Sequence, residues 1–116
     1  MDELVGRLAA EAGIDRDVAS KALGIMLAFL LKEGPADKVK PLLDKIPGAE
    51  ALAQEQAGNV GMGGVMGAGM SLMSLGLSMP EVQTVARLVL SYSRETVGDD
   101  AVGEIVNSIP GLSQFV

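Results

Sequence analysis

The chain has 116 residues, 48% hydrophobic and 3% aromatic, with 9 basic against 15 acidic side chains and a net charge of −6. It contains no cysteine and no histidine, which excludes a disulfide framework, a thiolate metal site, a thiol nucleophile and the commonest general base. With an acidic excess and only Phe29, Tyr92 and Phe115 as aromatics, the chain has neither a basic face for phosphates nor a base-stacking surface, so no nucleic-acid partner is expected.

The opening Met1-Asp2-Glu3 lacks a basic region followed by an apolar run. No secretory signal is therefore expected and the cytoplasm is the default location, although a leader removed earlier would leave no trace. Leu4, Val5, Leu8, Ala9 and Ala12 predict a short amphipathic helix. Gly13 is suited to the left-handed turn that ends it, and Asp15 to capping the next. From Ala22 to Leu31 no polar side chain intervenes, which in a helix means burial on every side. This helix is expected at the centre of the fold, with Leu27, Phe29 and Leu30 as candidates for an apolar interface left open by a monomer. Lys21 and Lys32 stand at its ends, where a desolvated lysine can become nucleophilic but reaching out to water is the ordinary outcome. After Gly34-Pro35, the spacing of Val39, Leu42, Leu43 and Ile46 predicts a second helix with one buried stripe. Lys38, Lys40 and Lys45 alternate with Asp37 and Asp44 on its solvated side. Ile46-Pro47-Gly48 stops the helix, and Leu52 can pack back.

From Gln56 to Pro80 there is no charged side chain. Asn59 to Met79 is long enough to cross a bilayer, but glycine and serine hold its hydrophobicity below that of a spanning helix. Gly63 and Gly67, or Gly64 and Ala68, form small-residue pairs that permit close helix approach. Met62, Met66, Met70 and Met73 lie at i, i+4, i+8 and i+11, placing four thioethers on one side of a helix. The first reading is that they fill an irregular core between the two halves. The second is an adaptable apolar surface for a partner helix, a lipid or a second subunit. The third is soft-metal binding, since thioethers favour Cu(I), although no Cys or His completes the set. The glycines do not follow phosphate-loop spacing, and the expected structure is a flexible connector that becomes helical near Met66.

Ser78-Met79-Pro80-Glu81 is a capping box with proline in the tolerated first turn. It opens a helix carrying Val82, Val85, Ala86, Val89 and Tyr92, with Arg87, Ser91 and Ser93 marking a wetter side. Gly98-Asp99-Asp100 then leads to a stripe of Val102, Ile105, Val106 and Ile109. Asp99, Asp100 and Glu104 form the densest acidic cluster, but acids at a helix start are what the macrodipole favours, and they are too few for a hard-cation site. Ser91 and Ser93 have no histidine to activate them.

Residues 13–53 and 76–116 align without a gap at an offset of 63. Gly13-Ile14-Asp15 matches Gly76-Leu77-Ser78, Leu27 matches Leu90, Phe29 matches Tyr92, Val39 matches Val102, and Ile46-Pro47-Gly48 matches Ile109-Pro110-Gly111. These features, with the Gly-rich middle and the run Val89-Leu90-Ser91-Tyr92, resemble the VcgC/VcgE-like family of small bacterial proteins, a domain of unknown function. The resemblance covers most of the chain and implies a bacterial helical protein with no established activity, cofactor or catalytic residue. The chain departs from that pattern in having methionines where glycine and serine dominate, and the leader that some members carry is not expected at its start.

The sequence thus predicts an all-α, compact helical bundle built from two tandem pseudo-repeats in one domain, 1–116. Repeat unit one is 1–57, the Gly/Met-rich connector 58–66, and repeat unit two 67–116. The expected role is a non-enzymatic interaction module, a homo-oligomer or a binder of a protein partner. Its candidate apolar surface is Met62, Met66, Met70, Met73, Leu27, Phe29 and Leu30. A peripheral membrane or lipid-binding protein is the alternative, and a small-ligand or Cu(I) carrier with a cavity between the repeats is a third. No catalytic residue, cofactor or resident metal is expected.

Overall fold

The first apolar stripe folds as α1 (Asp2–Ala12), which buries Leu4, Val5 and Leu8 and ends at Gly13, where φ is +69°. The computed structural model describes residues 2–59, 64–109 and 111–112, and among these it contains seven α-helices and no strand. The uninterrupted apolar run becomes α2 (Arg16–Glu33), with every residue from Ala22 to Leu30 buried. Lys21 and Lys32 are both exposed. Next come α3 (Ala36–Lys45) and α4 (Ala49–Gln56), the latter followed by a 3-10 turn at Ala57–Asn59. Then follow α5 (Gly64–Met73), α6 (Met79–Val97) and α7 (Asp99–Ser108).

Capping differs between the two long helices. Ser78 Oγ accepts from the Glu81 N–H at 3.4 Å while the Ser78 N–H donates to Glu81 Oε1 at 2.7 Å, closing the expected box. Asp15 occupies the corresponding place ahead of α2, but its side chain makes no capping bond. Val18 stands where α6 has Glu81, so α2 has no residue to complete a reciprocal pair.

The starts of α2 and α6 (Arg16, Met79) and of α3 and α7 (Ala36, Asp99) both lie 63 residues apart. Backbone detail follows the same interval. Ile46 and Ile109 share φ −109° with ψ of 104° and 109°, and their N–H groups donate to Leu43 O and Val106 O at 3.2 and 3.3 Å. Gly48 and Gly111 follow in the left-handed region at φ +83° and +85°, which an L side chain resists. Pro110 and Phe115 lie outside the described residues.

The core is one cluster in which α2 and α6 touch, with α1 and α5 each packed against both. α3 rests on α2, α6 and α7, while α4 lies along the outer side of α2. α4 accounts for the unequal dressing of the two long helices. It approaches so closely that a Cβ on Gly24 would stand 2.5 Å from Gln56 Cγ and 3.0 Å from Leu52 Cγ. On α6 the position matching Gly24 is Arg87, which is exposed. The Cα radius of gyration is 12.4 Å, within the range of about 13 Å for a compact chain of this length. No helix among the described residues is long and apolar enough to cross a membrane.

Candidate interaction face

α5 determines where the methionines go. Its inward side is made of Gly67, Ala68 and Leu72, all buried, because small residues let the helix settle closely onto α2 and α6. With 100° between successive residues, Met66, Met70 and Met73 fall on the opposite side. Met66 is 74% exposed, Met70 68% and Met73 43%; Met79, at the start of α6, is 47% exposed. The core-filling reading is therefore corrected for these residues. Among the described methionines only Met26 on α2 is buried. Met62 lies outside the described residues.

The other three candidates do not join this face. Leu27, Phe29 and Leu30 are 0%, 1% and 0% exposed, and their burial by neighbouring helices removes them from any surface. Continuous apolarity in α2 marks the molecular centre and not an open interface. The helical start of α5 at Gly64 also lies earlier than the expected onset near Met66, within the 58–66 connector.

Beneath α5 is an apolar crevice lined by Met26, Phe29, Ala68, Leu72, Val82 and Leu112. It is partly open, and the space within it is about 20 Å³, room for about one water molecule and with no polar side chain to hold it. A small molecule carried in this crevice would have to displace packed side chains. Elsewhere the polar groups are ordinary fittings of the helices. Ser93 Oγ donates to Val89 O at 2.7 Å, satisfying a buried hydroxyl. Glu104, part of the acidic cluster, pairs with Lys38 at 3.0 Å and ties α7 to α3, while Asp99 and Asp100 are exposed at the head of α7. Arg7 and Glu95 join α1 to α6 at 3.6 Å. Lys38 has its pKa raised above 10.5, first by its hydrogen bond to Glu104 and then by that carboxylate's charge. Among the described residues no group of three or more Asp or Glu is placed to hold a metal ion.

The exposed face also differs from its surroundings in charge. Every residue from Gln56 to Pro80 is uncharged in a chain of net charge −6, so α5 and its flanks form a neutral, thioether-rich zone on an acidic molecule. Comparison with protein-family models, curated proteins and solved structures gives no match, and the likeness to the VcgC/VcgE-like family rests on the residue pattern alone.

Proposed function

We propose that the protein is a non-enzymatic helical interaction module that self-associates through the outer face of α5, and that its bundle derives from two tandem pseudo-equivalent units. The observation that carries the first part is the exposure of Met66, Met70 and Met73 at i, i+4 and i+7 along one helix. Unbranched thioether side chains adapt to an opposing surface, and this spacing forms a seam of the kind that pairs helices. The occupant we assign is a second copy. Two chains of −6 repel one another through most of their surfaces, and the uncharged stretch 56–80 lets them approach with the least electrostatic cost. A lipid surface is less well matched, because interfacial helices carry Lys or Arg beside their apolar face and α5 has neither. The matching bounds and turn geometry at an interval of 63 residues support the tandem-unit reading.

Sedimentation velocity across a range of protein concentrations tests the proposal. The native chain should dimerise, and a Met66→Glu, Met70→Glu variant should remain monomeric with the same helical circular dichroism. A native chain that stays monomeric throughout the series rejects self-association. If that monomer instead cosediments with phosphatidylcholine vesicles, the lipid-binding alternative takes its place.

A further inference from the structure

With no cysteine in the chain, methionine supplies its only sulfur. Among the described residues, Met26 is buried at 2% exposure, whereas Met66, Met70 and Met73 open to solvent on one face of α5 and Met79 is exposed at the start of α6. We infer that Met66, Met70 and Met73 are an oxidative modification site, at which hydrogen peroxide converts an apolar pairing face into a polar one and releases the second copy. This inference rests on the self-association reading and adds its regulation.

The chemistry needs no catalytic group. A thioether lone pair attacks one peroxide oxygen, an S–O bond forms as the O–O bond breaks, and the departing oxygen leaves as water after proton transfer. Sulfur loses two electrons, peroxide gains them, and the products are sulfoxide and water. Each sulfoxide places a polar, hydrated oxygen where the pairing face was apolar. Successive methionines lie about one helical turn apart, so oxidation at all three marks the full length of the seam. Peroxide reacts with the dissociated chain, where accessibility sets the order of reaction: Met26 is 2% exposed, whereas Met66 and Met70 have more than half their surface open. Sulfoxide reductases restore the thioether, which makes the change reversible.

The test treats the whole chain with hydrogen peroxide, locates added oxygen by peptide mass spectrometry and follows assembly by sedimentation. Met66 and Met70 should oxidise first and Met26 last, and the dimer dissociation constant should rise by at least about tenfold. Treatment with methionine sulfoxide reductases A and B should restore the dimer. A Met66→Leu, Met70→Leu, Met73→Leu variant should still dimerise but should no longer respond to peroxide. A dimer that persists with all three methionines oxidised overturns the inference while leaving self-association intact. A leucine variant that dissociates in peroxide as readily as the native chain also overturns it, by placing the sensitive group elsewhere. A native chain that is monomeric before treatment removes the self-association reading, and this inference with it.

Discussion

Ser78 and Asp15 hold equivalent places ahead of two long helices, yet only Ser78 is bonded to its helix. Ser78→Ala should therefore lower unfolding free energy by about 1 kcal/mol. Asp15→Ala removes no bond and should cost only the charge–dipole contribution, about 0.3 to 0.5 kcal/mol at low salt. Urea titrations of the two variants give the comparison directly, and equal losses would show that Asp15 caps in solution. Lys38 makes a second prediction at this scale. Its folded pKa is raised by Glu104, so the folded state holds the proton more tightly than the unfolded chain. The stabilisation is complete below the ordinary value of 10.5 and is lost as pH rises through the raised folded value. Thermal melts of native protein and Lys38→Gln should differ at neutral pH and converge above the lysine range. The gap at neutral pH should be small and should shrink in salt, because both partners of the pair are substantially exposed.

Among the elements, two helical glycines separate packing from propensity. Gly24 faces α4, and an added Cβ would stand 3.1 Å from the backbone oxygen of Leu52 besides crowding the Gln56 side chain. Gln56 is itself buried, and the Leu52 carbonyl moves only with α4. Gly24→Ala should therefore destabilise by about 1 to 3 kcal/mol of overpacking, against a helix-propensity gain of about 1 kcal/mol. Gly103 on α7 has nothing within 4 Å of its added Cβ, so Gly103→Ala should stabilise by about 0.5 to 1 kcal/mol. Opposite shifts of the denaturation midpoint are the expected readout. The same contrast shows what was legible in the sequence. α1, α2, α3, α6 and α7 could be read because their large apolar residues form stripes or runs, and the ends of α3 and α7 because Ile-Pro-Gly stops a helix. α4 was missed as a helix, although Ala49 to Gln56 contains strong helix formers. The sequence expectation gave Leu52 a place to pack but formed no helix around it. Met spacing on α5 showed that the thioethers share a side, but could not show which side. A larger apolar face ordinarily turns inward. Here the small side wins, since Gly67 and Ala68 permit an approach to α2 and α6 that a row of methionines would prevent.

For the whole molecule, the important arrangement is that α1 and α5 each bridge α2 and α6. Each half supplies one of these bridges, so separating the halves strips a partner from both and opens the apolar sides of both long helices. A fragment of roughly 60 residues buries too little surface to offset that loss comfortably, and its shorter helices, of 8 to 11 residues, are too short to persist unaided. The halves are not equivalent in this respect. Residues 1–59 retain α4 against the outer side of α2, including the close contact at Gly24, whereas 60–116 has no described helix covering the matching side of α6. Expressed separately, 1–59 should show partial helicity without a cooperative melt, and 60–116 should be the less helical of the two. Mixed in equal amounts, they should recover the circular dichroism and the single melting transition of the intact chain, with the signal saturating at one-to-one stoichiometry. A cooperative transition in 1–59 alone would mean that the α2–α4 pairing is itself a sufficient core. In that event the second half would be an addition to a folded unit, and the bridging positions of α1 and α5 would not be what makes the bundle one body.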